Sequence, residues 1–327
     1  MIGHISTNEH EEEKQIQKYH NRLGKLPKRG SSDFFQMEIV EEFNSDPLPN
    51  RTDTRTADEM CSNHSDYHCI PPLRSFEAEF RVAPKHKIST CVVQKSMSTV
   101  MTAIFCFLFD ENGFRRSGRK LLSEIKRTRF CEHRNEALSM RSLQWRVLVR
   151  NEDGWVHTMI TRDPVDRFLS GFVDKCIRAH LPGAYCNGCK ANMTCFLIRE
   201  YERMVAEVRK DRFTRTFEDR HFFPQNWRCE LFKHPHRVFI RYSSNATNSM
   251  LDDLFKVFRI RKVGNSTLEF LRHELNSGRT PHSTIQSYAR HFLEERLRSS
   301  DFLMEYVVRM FYHDFRIFHY KLPDGFV

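Results

Sequence analysis

The chain has 327 residues, of which 39% are hydrophobic and 29% charged, and its mean hydropathy is −0.60. These values are typical of a globular protein, and they exclude a polytopic membrane protein and a chain that is disordered throughout. Basic residues number 52 against 42 acidic ones, and 36 of the basic residues are arginine. Because arginine is favoured where phosphate, sulfate or carboxylate is bound, the charge predicts a polyanionic partner: nucleic acid, an acidic glycan or a phosphorylated cofactor.

The first part of the chain differs in composition from the rest. Residues 1–75 are polar and interrupted by prolines, and they predict a tail of low order with at most short helices, such as one over residues 11–22. The remaining residues, 76–327, form the predicted folded domain. The longest apolar run, residues 100–109, is too short to span a bilayer, and the N-terminus has no apolar segment of a signal peptide.

From residue 76 onward, strand-like runs alternate with helical patterns. A strand followed by a helix, repeated along the chain, predicts an α/β fold with a central parallel sheet flanked by helices. The aromatic sequence FYHDFRIFHY near the C-terminus is interpreted as part of the core rather than as a ligand platform. The predicted strands cover residues 87–94, 155–161 and 237–242, and the predicted helices cover residues 98–109, 165–179, 249–258, 283–298 and 301–312.

The first strand and helix are joined by a short polar turn. Lys95 stands at the carboxyl end of the strand, and Ser96 and Ser98 are residues of the type that caps a helix N-terminus. Backbone N–H groups, the positive end of the helix dipole and the lysine charge converge there, which favours anion binding. Thr99 adds a second hydroxyl beside Ser98. The turn has no Walker A pattern, and a solvated lysine at a strand end is the plain alternative.

The second strand and helix repeat this layout in the sequence TMITRDPVDRFLSGFVDKC. Asp163 and Pro164 suit the start of the helix, and Arg162 leaves the strand just before them. If the two strands are neighbours, Arg162 lies beside Lys95, since ligands bind at the carboxyl ends of strands in open α/β sheets. Ser170 follows about two turns into the helix, where it can contribute to a second phosphate site.

Ten cysteines are present, and four of them lie within the sequence CIRAHLPGAYCNGCKANMTC. This cluster fits either a zinc site or disulfide bonds, but its spacing lacks the second pair of ligands that zinc sites show. Five N-x-S/T sequons, one of them inside the cluster at Asn192, favour disulfides and an oxidising compartment. We therefore expect Cys186, Cys189 and Cys195 to be oxidised.

Three segments carry a resemblance to a known family. The sequences KISTCVVQKSMSTVM and TMITRDPVDRFLSGFVDKC resemble the two cofactor segments of the Golgi carbohydrate sulfotransferases, and HFFPQNWRC resembles a third conserved block of that family. The group that is most similar is the chondroitin 4-sulfotransferase/HNK-1 sulfotransferase-like enzymes, in their nematode branch. The resemblance covers residues 80–320 and implies a P-loop-like sulfotransferase fold, which uses 3′-phosphoadenosine 5′-phosphosulfate (PAPS).

The resemblance implies roles for individual residues. It assigns the 5′-phosphosulfate to the segment of Lys95, Ser96, Met97, Ser98 and Thr99, and the 3′-phosphate to Arg162 and Ser170. Lys95 is then also catalytic, His221 is the candidate general base, and no metal is required. Glu218, Asp219 and His157 are reserve candidates for the base. The arginine-rich stretch 115–120 is expected to line the path of the acceptor.

The resemblance also implies partners and a location, and it leaves rivals open. The expected acceptor is an acidic glycan or proteoglycan, of chondroitin type, in the Golgi lumen, and no nucleic-acid partner is expected because no known nucleic-acid-binding motif is present. Gln94 and Met97 depart from the common family turn, which raises the alternative of a glycan-binding relative without activity. A basic protein that binds nucleic acid by charge alone is the other rival. The oligomeric state is left open.

Overall fold

The structure is a computed structural model, and it describes residues 32–62, 68–124, 129–146, 154–178, 185–209, 216, 218–243, 247–278, 284 and 287–327. The helix predicted over residues 11–22 lies outside these ranges. Within them, no helix combines the length and the apolar character needed to cross a bilayer.

A five-stranded mixed sheet forms the centre of the fold. Its strands are β1 (Phe80–Ala83), β2 (Ile88–Cys91), β3 (Glu136–Ala137), β4 (Val156–Arg162) and β5 (Val238–Tyr242), in the order β3-β1-β2-β4-β5. β4 lies between β2 and β5 and is parallel to both. β1 pairs antiparallel with both β2 and β3. The three predicted strands and their parallel arrangement are confirmed. The antiparallel pair β1 and β3 was not predicted.

The two inner parallel strands, β2 and β4, are buried on both faces, which explains why they read as apolar runs, whereas in β5, at the edge of the sheet, only Ile240 is buried. Every residue of β2 is buried, and so is every residue of β4 after Val156. Such burial requires helices on both sides of the sheet. The α/β fold class that the sequence predicts is therefore confirmed.

Five of the twelve helices in the described residues lie where the sequence predicts them, and the other seven were not predicted. α3 begins at Ser98 and ends at Phe109, as predicted, and α6 ends earlier than predicted because its last turn widens into a π turn at Val173–Ile177. The helices are α1 (Ser32–Asn44), α2 (Ala57–Cys61), α3 (Ser98–Phe109), α4 (Glu111–Arg116), α5 (Met140–Arg146), α6 (Pro164–Phe172), α7 (Met193–Val208), α8 (Asp219–Phe222), α9 (Thr247–Ile260), α10 (Asn265–Asn276), α11 (Tyr288–Arg298) and α12 (Asp301–Ile317).

Two main hydrophobic clusters fill the space between the sheet and its helices. One contains side chains of α6, α7, α11 and α12 and includes Phe168, Phe196 and Trp227, all buried. The other contains α3, α9 and α10, with Phe105 and Phe258 against Ile160 of β4. The aromatic residues Phe311 and Phe315 of α12 are buried, as the interpretation of that segment as core requires. Helices thus cover both faces of the sheet. The two edges at which its strands begin and end, called rims below, are not covered by these clusters.

The described part of the predicted tail packs on the domain, which corrects the expectation of low order for these residues. Val40 of α1 is fully buried, and Asn44 bonds the backbone of Ala191 and Met193 at 2.9 Å each. Further along, Thr52 donates a hydrogen bond to Glu305 of α12 at 2.9 Å. The physical reason is that the buried residues of α1 include polar ones, such as Gln36 and Asn44. The sequence of this helix therefore lacks a clear apolar face, and its composition resembles that of a tail. The boundary at residue 75 remains a prediction.

Candidate active site

The predicted turns after β2 and β4 lie side by side at one rim of the sheet. The register pairs Cys91 at the end of β2 with Met159, so β4 extends three residues further and ends at Arg162. The guanidinium Nη1 of Arg162 donates a hydrogen bond to the carbonyl oxygen of Lys95 at 3.0 Å. Lys95 and Arg162 are therefore brought together, as the sequence predicted for neighbouring strands.

The turn before α3 has an unusual backbone. Lys95 and Met97 both have left-handed conformations, with φ of 69° and 58°. Such conformations cost non-glycine residues about 1–3 kcal/mol, and they cluster at functional sites. Met97 is the N-cap of α3 and makes no side-chain capping bond, so the first N–H groups of α3 receive no cap from it. An uncapped helix N-terminus of this kind suits an anion.

The prediction that Ser96 and Ser98 cap α3 is wrong for both residues, because the N-cap is Met97. The hydroxyl group of Ser96 instead donates to Oε1 of Gln225 at 3.1 Å, and this serine is 1% exposed. The helix begins at Ser98, one residue after the actual N-cap, and Ser98 and Thr99 are half-buried in its first turn. The side chain of Met97 packs against the hydrophobic cluster beneath α3. Met97, which departs from the common family turn, is thus accommodated by the core.

The ammonium group of Lys95 is almost fully buried and forms an ion pair with Asp174 in the π turn. Asp174 also pairs with Lys175 at 2.9 Å. Burial lowers the pKa of Lys95 to about 8, although the Asp174 carboxylate opposes this effect by stabilising the charged amine. Lys95 is therefore a cation held in a low-dielectric environment, where its charge acts strongly on a nearby anion.

A second buried cation, Arg167, supports the same turn. Its Nε donates to the carbonyl oxygen of Gln94 at 3.1 Å and its Nη1 to that of Phe222 at 3.4 Å, while Nη2 is buried without a hydrogen-bond partner in the described residues. Burial lowers the pKa of its guanidinium group. An unsatisfied buried donor is costly, so this side chain has the hydrogen-bonding capacity for one more acceptor.

Ser170 lies between residues that contact the Lys95 turn. It is 7% exposed and sits one helical turn from both Arg167 and Asp174, which contact Gln94 and Lys95. Residues at these spacings share a helix face. Ser170 is therefore on the face of α6 that is directed toward the first turn, and its contribution to a second phosphate site stays a prediction.

Gln225 joins the two turns. Its Oε1 accepts hydrogen bonds from Ser96 at 3.1 Å and from the backbone N–H of Arg162 at 3.0 Å, and its Nε2 donates to the carbonyl oxygen of Arg162 at 2.8 Å. Asp314 of α12 accepts hydrogen bonds from the backbone N–H groups of Gln225 and Asn226. The segment HFFPQNW thus serves as the structural link between the two turns, a role that the sequence analysis did not assign.

The candidate bases lie at different places. His221 is in α8 and is 8% exposed, four residues before Gln225, and its role as general base remains a prediction. His157 is bonded to Ser89 at the opposite end of β4, roughly 16 Å along the strand from Arg162. Asp219 is fully buried and paired with Arg203, so neither of these two reserve candidates is available to the rim. The third, Glu218, accepts a hydrogen bond from the backbone N–H of Cys186 at 3.2 Å, and its role as a base stays a prediction.

Residues 115–120, expected along the acceptor path, lie at the other end of the sheet. α3 starts at the Lys95 rim and runs away from it for 12 residues, about 18 Å, before α4 begins. Arg115 pairs there with Glu111, and Arg119 with Glu124. The physical reason is the length of α3, which separates these arginines from the site.

All ten cysteines form disulfides, which confirms the expectation for the cysteine cluster and excludes its use as a zinc site. The pairs are Cys61–Cys69, Cys91–Cys229, Cys106–Cys131, Cys176–Cys186 and Cys189–Cys195. Cys91–Cys229 joins the end of β2 to the residue two positions after Trp227, beside the site. In the part of the chain that is described, no group of three or more His, Cys, Asp or Glu side chains is arranged to hold a metal ion.

The fold and this rim define an α/β protein with a strongly cationic site built between two adjacent strand ends. Comparison with known proteins identifies the family. The profile of the Sulfotransferase family matches residues 78–321, and the chain belongs to this family. That range contains both turns, the π turn and the Gln225 segment.

Three relatives from Caenorhabditis elegans are similar over most of this chain. The uncharacterized protein C18B2.2 is 46% identical over 90% of this chain and 83% of its own length. The putative sulfotransferase vep-2 is 39% identical over 80% of this chain and 82% of its own. The carbohydrate sulfotransferase chst-1 is 33% identical over 77% of this chain and 78% of its own. No solved structure is a significant match to the chain.

Proposed function

We propose that this protein is a carbohydrate O-sulfotransferase, which transfers the sulfuryl group of PAPS to a hydroxyl group of an acidic glycan of chondroitin type. The observation that carries the proposal is the direct contact between the two cationic turns, in which Arg162 bonds the carbonyl oxygen of Lys95. A donor with phosphate groups at both ends of a nucleoside requires two such anion sites at one rim. The relative named as a carbohydrate sulfotransferase supports a glycan acceptor.

The residues at the rim fit the two charged ends of this donor. The uncapped first turn of α3, with Ser98, Thr99 and the Lys95 ammonium group, would hold the 5′-phosphosulfate. Arg162 and Ser170 would hold the 3′-phosphate. The free buried Nη2 of Arg167 is a donor that an incoming phosphate oxygen can satisfy. The positions of the side chains and the membership in the family support these assignments.

The reaction is an in-line displacement at sulfur. The acceptor hydroxyl oxygen forms a bond to sulfur, the bond from sulfur to the phosphate oxygen of the donor breaks, and 3′-phosphoadenosine 5′-phosphate (PAP) leaves. Lys95 would stabilise the negative charge that develops on that phosphate oxygen, which is the electrostatic form of catalysis. His221 would take the proton from the acceptor hydroxyl; general-base help of this kind is worth about 10²–10⁴-fold.

The pair between Lys95 and Asp174 adds a step to this scheme. In the structure, the Lys95 ammonium group is bound to Asp174. Donor binding would move the lysine from the carboxylate to the phosphosulfate, and Lys175 would remain as a counter-ion for Asp174. The exchange keeps both buried charges paired, since leaving either one alone costs several kcal/mol.

A location in the Golgi lumen completes the proposal. Five disulfides require an oxidising compartment, and such bonds are rare in cytosolic proteins. Acidic glycans are polyanions, which agrees with the excess of ten basic residues in the chain.

Transfer of radiolabelled sulfate from PAPS to a panel of desulfated glycosaminoglycans tests the proposal. We expect incorporation into chondroitin-type chains and saturable binding of PAP. Binding of the glycan without PAP binding or transfer would identify an inactive relative instead. Steeply salt-dependent binding of DNA or RNA, again without PAP binding, would identify a nucleic-acid-binding protein.

A further inference from the structure

The short helix α5 exposes a tryptophan that the core does not use. Trp145 is 72% exposed, whereas Met140 and Leu143 of the same helix are 2% and 1% exposed and form its packed face. Leu138, just before the helix, is 73% exposed. Large exposed apolar side chains of this kind mark binding surfaces when they lie together with polar groups.

A shallow, open depression lies beside this tryptophan. Its volume is about 490 Å³, and it is lined by Ser139, Arg141, Ser142 and Trp145. Arg141 and Trp145 are four residues apart and therefore lie on the same face of α5. Arg141 is exposed and forms no salt bridge with any described residue, so its guanidinium group is available to an anion from solution.

The strand register places this depression at the rim that carries Lys95. Phe80 of β1 pairs with Cys91 on one side and with Ala137 on the other, so the ends of β2 and β3 lie at the same edge, separated by two strand spacings, roughly 10 Å. The backbone N–H of Met140 donates to Glu230 at 2.6 Å, and the adjacent Cys229 is disulfide-bonded to Cys91. The start of α5 is thus tied to the end of β2.

We propose that Trp145 and Arg141 form a subsite for the acidic acceptor glycan, on sugar residues adjacent to the one that is sulfated. This inference rests on the proposed function. The apolar C–H face of a sugar ring packs on an exposed indole ring, and the planar guanidinium group binds the carboxylate or sulfate groups of the same chain. The Ser139 hydroxyl, which accepts a hydrogen bond from the N–H of Ser142, supplies a donor for a sugar oxygen, whereas the Ser142 hydroxyl is used in the turn itself, where it donates to the carbonyl oxygen of Ser139 at 2.9 Å. An anionic glycan satisfies both the apolar and the cationic part of this surface.

The test compares Trp145→Ala and Arg141→Ala with the parent protein on desulfated chondroitin oligosaccharides of increasing length. We expect KM for long oligosaccharides to rise about tenfold in each variant, with kcat and PAP affinity unchanged, because the subsite binds the ground state and the transition state equally. Disaccharide acceptors, which cannot reach α5, should be unaffected. An unchanged KM for long chains, or an equal rise for disaccharides, would overturn the subsite.

Two matched control variants are available at the opposite rim. Arg259→Ala and Ile260→Ala remove an exposed arginine and a 73% exposed apolar residue near the end of α9. The adjacent Arg261 bonds His86, before the start of β2, which places these controls away from Lys95. They should leave every kinetic parameter unchanged; an increase in KM equal to that of Trp145→Ala would show a non-specific effect of surface charge or apolar area, which contradicts a local subsite.

A binding experiment separates this inference from the proposed function. Titration of the parent protein with desulfated chondroitin oligosaccharides should change its tryptophan fluorescence, and Trp145→Phe should lose the signal while keeping its thermal midpoint. If the parent protein transfers no sulfate but shows this glycan-dependent change, the proposed function fails and the subsite stands. If RNA gives the same change at the same affinity, or if the change persists in Trp145→Phe, the subsite is wrong.

Discussion

The guanidinium group of Arg162, the last residue of β4, donates a hydrogen bond to the carbonyl oxygen of Lys95, four residues beyond the end of β2, at 3.0 Å. This bond joins two turns that are 67 residues apart in the chain. It fixes the position of the Lys95 turn through the backbone. Substitution of either residue should therefore affect donor binding in a distinct way.

Substitution of Lys95 tests its catalytic role. Lys95→Ala should abolish sulfate transfer, because no other cation among the described residues both pairs with Asp174 and lies in the turn that leads into α3. Thermal unfolding should change little, since the variant removes a buried charge together with its desolvation cost and leaves Lys175 paired with Asp174. Near-normal transfer by a folded Lys95→Ala protein would remove Lys95 from the active site.

The pH dependence of PAP affinity tests the state of Lys95. The free protein holds this amine at a pKa of about 8, so its charge is present below pH 8 and is lost as the pH rises through that value. PAP affinity should fall above pH 8, approaching tenfold per pH unit, because binding then requires uptake of one proton. Calorimetric titration between pH 6.5 and 9.5 measures this.

Asp174→Asn should shift that profile to lower pH. The Asp174 carboxylate raises the pKa of Lys95, and its removal leaves the lowering effect of burial unopposed. At pH 6.5, PAP should bind at least as tightly as to the parent protein, since the lysine no longer leaves a carboxylate. Asp252→Asn, which breaks the exposed pair with Arg272, is the control and should leave the profile in place. A profile that is identical in Asp174→Asn would exclude the pair from donor binding.

Gln225 should be needed both for the stability of the fold and for binding of the donor nucleotide. Gln225→Met keeps the length of the side chain but removes its bonds to Ser96 and Arg162, and it leaves buried polar groups without partners. Each such group costs about 1–3 kcal/mol. We expect a lower midpoint in denaturant and at least tenfold weaker PAP binding. Weakened stability with unchanged PAP affinity would show that Gln225 supports the fold without holding the two turns in register.

The disulfide beside the site should contribute more to the stability of the fold than a disulfide that closes a short loop. Cys91–Cys229 spans 138 residues, and the loss of such a cross-link costs about 5 kcal/mol in the chain-entropy account. Cys189–Cys195 spans 6 residues and should cost about 2 kcal/mol. Double alanine substitution of each pair, followed by denaturant unfolding, compares them. The Cys91/Cys229 variant should also lose PAP affinity; a smaller effect on stability than in the Cys189/Cys195 variant would contradict this ranking.

Local patterns in the sequence were sufficient for the elements that carry the site. The apolar run and the following polar residues predict α3 with its observed bounds, and the Asp-Pro pair places the start of α6 after Arg162. These two helix positions depend on residues that are close in sequence, which is why they are readable without the structure. The contact of Lys95 with Arg162, 67 residues away, was expected only on the condition that the two strands are neighbours, and the strand register meets that condition.

Hydrogen bonds between residues that are far apart in the chain could not be predicted from the sequence. The bonds of Gln225 reach back 63 residues to Arg162 and 129 to Ser96, and no periodicity indicates them. For the same reason Ser96 was mistaken for a helix cap, since its hydroxyl prefers a distant partner. α1 was missed because the residues on its buried stripe, Gln36, Val40 and Asn44, are mostly polar. Burial of amides on a folded surface does not produce an amphipathic pattern.

The most direct test of two turns that bind one nucleotide is a calorimetric comparison of PAP with adenosine 5′-monophosphate, which lacks the 3′-phosphate, on the parent protein and on Arg162→Ala. Charged hydrogen bonds are worth about 1.5–3 kcal/mol. The parent protein should therefore bind PAP at least tenfold more tightly than the monophosphate, and Arg162→Ala should lose most of that difference while its affinity for the monophosphate changes little. Equal weakening of both ligands by Arg162→Ala, or no PAP binding by the parent protein, would contradict the account.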